Sequence, residues 1–144
     1  MRKVFLDANI ILDLLDKDRG SIERTKSAIA EYIKNGDELL TSCDIFTTVY
    51  YVGSKKLPKD TIVDELEKIL TFVSVLPIDM NTVREAISIV KNSSSSDMED
   101  VLQYVCALQN RCDLIVTNDK SFYVGGYELG GNSYGQIKAE LSDA

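Results

Sequence analysis

The chain has no histidine and no tryptophan, only two prolines, and fewer positive than negative side chains. Across 144 residues there are 16 Lys and Arg against 23 Asp and Glu, a formal net charge of −7. Each shortage excludes something. Without histidine there is no imidazole general base and no Cys–His nucleophile pair. Nor is there an imidazole ligand, so a metal site would have to be built from oxygen. Oxygen ligands select Mg²⁺ or Mn²⁺ over zinc. The acidic balance argues against a broad nucleic-acid surface, which would be basic, but leaves room for a small local patch. No apolar run approaches the roughly 18 residues of a membrane span. The stretch Met1–Asp7 meets an acid too early for the core of a signal peptide. Cys43, Cys106 and Cys112 are odd in number and lack metal-ligand spacing. They read as reduced, partly buried thiols, and the expected location is cytoplasmic.

What is present is ordinary for a globular chain: 44% apolar and 27% charged residues. The length suits one domain over residues 1–144, large enough to bury roughly 68–70% of its unfolded surface. There is no internal repeat and no linker-like boundary.

Apolar spacing divides the chain into alternating strands and helices. Residues 3–6 read as a strand and 9–17 as a short helix. Ser21 is placed to cap a second helix with Ile22, Ile29 and Ile33 on its inner face, ended by Asn35-Gly36. Residues 38–42 read as a strand and 44–54 as a helix. Pro58 suits the first turn of a helix running to about Leu70. A strand at 73–76 follows. Asp79 then caps a helix whose apolar face is Val83, Ala86, Ile87 and Val90. A polar loop of serines leads into a helix from Asp97, and a strand spans 113–116. Such alternation points to an α/β fold with a parallel sheet and helices on both faces. In the tail, Gly125-Gly126 and Gly130-Gly131 break the pattern. A short fifth strand near 126–129 and a last helix near 135–142 are the expectation there.

Chemistry concentrates in three acids at equivalent places. Asp7 directly follows the first strand, Asp100 lies at a helix start and Asp119 just follows the strand at 113–116. Crevices in open α/β sheets form at the C-terminal ends of the strands. There, acids distant in sequence can converge and share a divalent cation. Asp97 lies one helical turn before Asp100 and so on the same face. Simpler roles compete with these. Asp97 and Glu99 also suit a helix N-terminus, through capping and the helix dipole, and Asp119 suits a turn. Asp13, Asp16 and Asp18 read as solvated. Lys55, Lys56 and Lys120 read as surface charges, and Tyr50, Tyr51 and Tyr104 as packing residues.

The segments FLDANIILDLL, SDMEDVLQYVCAL and CDLIVTNDKSF, in this order, resemble the PIN domain, the ribonuclease fold of VapC-type toxins. The resemblance is strongest over residues 1–122. It implies a three-layer sandwich with a central parallel sheet of about five strands flanked by helices. It further implies a metal-dependent endoribonuclease using Mg²⁺ or Mn²⁺, with RNA as substrate and a cognate antitoxin as partner, no membrane association, and a homodimer left open. Matched to the family's motifs, Asp7, Asp100 and Asp119 take the catalytic positions. Asp7, Asp97, Asp100 and Asp119 take the metal positions, and Asn9, Thr48, Thr117 and Asn118 the supporting ones. The family usually carries a Glu in the helix after strand two. Thr48 stands in that place here, with Asp44 one turn earlier as a partial substitute. The departure keeps a second reading in play: a degenerate PIN domain that binds RNA or protein. Two other classes fit less well. A haloacid-dehalogenase phosphatase would use Asp7 as nucleophile, but wants an acid at Asn9 and a late G-D-x-x-x-D pattern. A receiver domain needs a phosphorylatable Asp ending strand three, which Asp79 supplies only loosely.

Overall fold

A computed structural model describes residues 1–18, 20, 22–93 and 97–119, together with the backbone of three short strands beyond them. The strands are β1 (Lys3–Leu6), β2 (Glu38–Ser42), β3 (Val73–Leu76), β4 (Leu114–Thr117), β5 (Glu128–Leu129), β6 (Asn132–Ser133) and β7 (Lys138–Glu140). The helices are α1 (Ala8–Leu15), α2 (Ile22–Lys34), α3 (Ile45–Gly53), α4 (Lys59–Ile69), α5 (Met80–Lys91) and α6 (Met98–Gln109).

The main sheet has the order β3-β2-β1-β4-β7, and every neighbouring pair is parallel. Parallel strands need both faces covered, and the residues of β1 show how this is done. Val4, Phe5 and Leu6 are all fully buried. Alternation along the strand sends Val4 and Leu6 to one face and Phe5 to the other. Val4 and Leu6 join a core built with residues of α1, α2, α3 and α4. Phe5 joins Leu40, Ile115 and the α6 residues Tyr104, Ala107 and Leu108. Helix α5 packs onto α6 through Ala86, Ile89, Val101 and Val105. The result is the expected α/β sandwich of three layers, with β1 at its centre.

Local chemistry sets the helix ends. The carboxylates of Asp7, Asp79 and Asp97 accept the backbone N–H three residues on, at 2.9, 3.0 and 3.1 Å, and so cap α1, α5 and α6. At the end of α2, Gly36 takes φ of +78°, where a side chain would be strained. The N–H groups of Gly36 and Asp37 then close onto the carbonyls of Ile33 and Tyr32 at 3.0 Å each.

Several expectations are corrected. Pro58 is the N-cap of α4, in extended geometry, rather than a residue of its first turn. The inner face of α5 is Thr82, Ala86 and Ile89; Val83 and Ile87 lie outside. The helix rotates to seat a small Ala86 against α6 and to bond the Thr82 hydroxyl to Gln109 at 2.7 Å. Ile33, expected on the inner face of α2, is likewise exposed. Tyr51 is exposed too, with the Lys55 ammonium 4.8 Å above its ring. Cys106 and Cys112 are buried free thiols, but Cys43 is exposed. In the tail, β5 pairs antiparallel with β6 outside the main sheet. The stretch expected to form the last helix instead contains β7, which completes the main sheet against β4. An open parallel edge offers hydrogen-bond partners that outweigh a short helix's weak nucleation. The capping role expected of Ser21 falls outside the described residues, as does Lys120.

The corrected face of α5 is testable by urea unfolding. Ile89→Ala is expected to cost about 2–5 kcal/mol, the usual range for a fully buried aliphatic. Ile87→Ala should stay within about 0.5 kcal/mol of wild type, as exposed positions do. Equal costs at the two positions would overturn the assignment.

Candidate active site

Parallel register places the acids. Leu6 of β1 lies opposite Val116 of β4, so the next residue of each, Asp7 and Thr117, stand side by side at the sheet's C-terminal edge. The Asp7 N–H donates to the Val116 carbonyl at 3.2 Å, and the Thr117 hydroxyl donates to Asp7 Oδ2. The same hydroxyl accepts the backbone N–H of Asp119 at 2.9 Å. One threonine therefore ties the first acid to the third. Asp7 and Thr117 are both buried, and the residue after Asp7, Ala8, lines a pocket at this edge.

That pocket has a volume of about 420 Å³. Asp97, Glu99 and Asp100 from the start of α6 and Asp119 from the loop after β4 line it, together with Asn9 of α1 and Thr48 of α3. Ala8, Leu12, Val52 and Gln103 complete the wall. Of the residues singled out in the sequence, Asp97, Asp100, Asp119, Asn9 and Thr48 thus come together; Asp7 and Thr117 are not among the lining residues. Asn118 does not join them. Its amide turns away and donates to Asp13.

Asp13 corrects an expectation. It was read as solvated, yet it is fully buried. The hydroxyl of Thr25 at 2.6 Å and the amide of Asn118 both donate to its Oδ2. The loop after β4 is thereby pinned to α1 and α2. Asp16 is also buried, with Lys56 Nζ 3.5 Å from its Oδ2. Asp18 is exposed, as expected.

Two pocket residues were missed. Gln103 is buried, accepts the Ala8 N–H at 3.1 Å and donates to the Glu99 carbonyl at 3.3 Å. It braces α6 against the start of α1. A polar residue inside the run VLQYV, three after Asp100, was the available signal. Glu99 was read only as a helix-start charge. Its Oε2 accepts the Thr48 hydroxyl at 3.1 Å, across 51 residues of sequence. Asp44, considered as a substitute for the missing Glu, precedes α3 and is not among the lining residues.

The electrostatics reflect crowding. Burial pushes the Asp7 carboxyl up to about 6, against the pull of its bonds from Thr117 and Ile10, and Asp119 and Asp13 add to the rise. Burial, then the charges of Asp97, Asp119, Asp7 and Glu99, push Asp100 up to about 7. Glu99 is raised by burial, partly offset by Thr48. Like charges in a partly dry pocket disfavour their own ionisation, and a cation would reverse this. Among the described residues, no three Asp, Glu, Cys or His side chains are grouped closely enough to hold a metal ion by themselves. Mg²⁺ does not need such a group. It keeps several waters and is held by one or two carboxylates together with substrate phosphates. The donors here are all oxygen, in an open pocket, which fits a cation of that kind.

The family model for the PIN domain matches residues 4–125. Ribonuclease VapC1 of Aquifex aeolicus (strain VF5) is 38% identical over 128 residues, covering 88% of each chain. Among solved structures, VapC20 of Mycobacterium tuberculosis, a Sarcin-Ricin loop cleaving toxin, superimposes with a TM-score of 0.69. Identity is 12%, over 83% of this chain and 92% of that one. A toxin-antitoxin complex from Klebsiella pneumoniae gives 0.68 at 16% identity, over 98% of this chain and 99% of that one. VapBC2 of Rickettsia felis, bound to a fragment of promoter DNA, gives 0.67 at 17%, over 83% and 90%. At these identities the structural likeness is one of fold.

The raised carboxyls make a prediction about the metal-free protein. A carboxyl raised in the folded state contributes stability that is whole below its unfolded value of 3.8 and is lost as pH climbs through the folded value. For Asp100 that loss runs from about pH 4 to beyond pH 7. Asp100→Asn should therefore match wild type at about pH 4. At about pH 8, with metal chelated, it should be more stable by about 1–2 kcal/mol, allowing for screening of a half-exposed group. Urea unfolding at the two pH values checks this. A variant less stable at the higher pH would show that Asp100 is held by favourable contacts instead.

Proposed function

This chain belongs to the PIN domain family, and we propose that it is a metal-dependent endoribonuclease, the toxin of a toxin-antitoxin pair. The observation that carries the proposal is the convergence of Asp97, Asp100 and Asp119 on one pocket at the C-terminal edge of a parallel sheet, with the buried Asp7 close enough to raise the Asp100 carboxyl. Separate reasons for each acid to be polar do not account for their shared location. Burial and the charges of Asp97, Asp119, Asp7 and Glu99 push the Asp100 carboxyl up to about 7, so ionising it in this pocket carries a cost. A binding role for a cation accounts for that cost. The toxin assignment draws on the 38% identical Ribonuclease VapC1 and on the fold shared with toxins of VapBC pairs.

In this reading Asp100 and Asp119 would hold a Mg²⁺ or Mn²⁺ ion, with Asp97 and Asp7 as the further acids of the set. When bound, the cation supplies Lewis acidity toward the RNA phosphate and a low-pKa water for attack on phosphorus. The chain needs no nucleophile of its own, which agrees with its lack of histidine. Thr117 donates to Asp7 Oδ2, which favours the ionised carboxylate against the effect of its burial. Asp97 holds the first turn of α6, so the Asp100 carboxylate projects from a fixed helix end. Asn9 lines the wall and offers an amide to a phosphate or to a water.

Three measurements on one preparation test this. Mn²⁺ should raise the melting temperature in proportion to the logarithm of its concentration once above its Kd. Because binding must displace protons from Asp7 and Asp100, affinity should fall between about pH 8 and about pH 6. The wild type should cut single-stranded RNA only with the metal present, and Asp100→Asn should slow cutting about a hundredfold or more. Intact RNA under saturating Mn²⁺, with binding demonstrated, would favour an RNA- or protein-binding module over an enzyme. Full activity in Asp100→Asn would mark the nuclease as a contaminant.

A further inference from the structure

We propose that Glu99 is a cation-facing carboxylate of this pocket, oriented by Thr48. The proposal rests on the metal-dependent reading above and extends it to a residue outside the four acids named there. Glu99 lies between Asp97 and Asp100 in sequence. One residue along a helix turns the side chain by about 100°, away from those two acids and onto another side of the same pocket. There it meets α3. Its Oε2 accepts the Thr48 hydroxyl at 3.1 Å, and both residues line the pocket.

The other oxygen carries the inference. Glu99 Oε1 is shielded from water and has no hydrogen-bond partner among the described residues. An anionic oxygen left in that condition loses its hydration without compensation, and such groups are expensive. No Lys or Arg stands among the described lining residues to neutralise it. A helix-dipole role does not explain the arrangement. That role is served by a solvated acid in the first turn, with no need for a partner 51 residues away or for a dry oxygen. A cation in the pocket would satisfy Oε1 while Thr48 holds Oε2.

Thr48 thereby acquires a positioning role. It contributes no charge, but its hydroxyl aims one that arrives from α6. Gln103 adds to this by donating to the Glu99 backbone carbonyl at 3.3 Å, which fixes the first turn of α6 against α1. The α3 wall thus has its carboxylate after all, delivered by the facing helix. A Glu placed at position 48 alone would meet Glu99 across the span of the present hydrogen bond. Repulsion would then work against it.

The test is Mn²⁺ binding by calorimetry on the full chain, with the metal-free melting temperature of every variant measured alongside. Glu99→Gln keeps the shape and can still accept from Thr48, so the fold should persist. Its Mn²⁺ affinity is expected to drop about tenfold or more, and Thr48→Val should lose about tenfold through misorientation. The exchange Thr48→Glu with Glu99→Thr moves the carboxylate across the same contact, and should recover most of the lost affinity. Wild-type affinity in Glu99→Gln, while Asp100→Asn loses binding, would overturn the proposal and leave the metal site intact. A folded exchange variant that recovers nothing would likewise overturn it. If wild type itself binds no Mn²⁺, the metal reading falls and this proposal falls with it.

Discussion

The parallel pairing of β1 with β4 governs the chemistry of this protein. It sets Asp7 beside Thr117 and, through one hydroxyl, beside the backbone of Asp119. A slip of one residue would turn Asp7 to the opposite face of the sheet. Such a slip is prevented by the burial of Val4, Phe5 and Leu6, whose alternation serves two separate cores. Packing on both faces of the sheet thus determines where a carboxylate stands at its edge.

The acids do more than one job each. Asp7 caps α1 with one oxygen and accepts from Thr117 with the other. Asp97 caps α6 while lining the pocket. An ionised carboxylate has about four lone-pair sites, so capping does not exhaust it. This economy explains how several acids are held in one place without a lysine or arginine among the described lining residues. Backbone N–H groups and hydroxyls hold Asp7, Asp97 and Glu99 instead. The buried trio of Asp13, Thr25 and Asn118 does similar work behind the pocket, fixing the turn that carries Asp119.

Thr48 and Glu99 show how a wall can be completed from either side. A short side chain on one helix and a long one on the helix facing it meet at a single hydrogen bond. Position 48 looks deficient on its own helix. In space it is one half of a pair.

Much of this was legible in the residues. The period of apolar positions located the strands Lys3–Leu6, Glu38–Ser42 and Val73–Leu76 and the helices between them. Acids placed just after strands or at helix starts located Asp7, Asp97, Asp100 and Asp119, because these are positions where a chain turns at the edge of a sheet. Asp79 and Gly36 were readable from local backbone chemistry alone. The parts decided by tertiary structure are those whose meaning depends on a distant partner. Asp13 is buried because Thr25 and Asn118 reach it, and Glu99 belongs to the pocket because Thr48 meets it. The face of α5 is set by the small gap that α6 leaves for Ala86. The strand at Lys138–Glu140 forms because β4 presents an open edge there. Local sequence determines what a segment can form and where a charge can be tolerated. Which charge is dry, and which side chain it faces, is fixed only when segments far apart in the chain pack together.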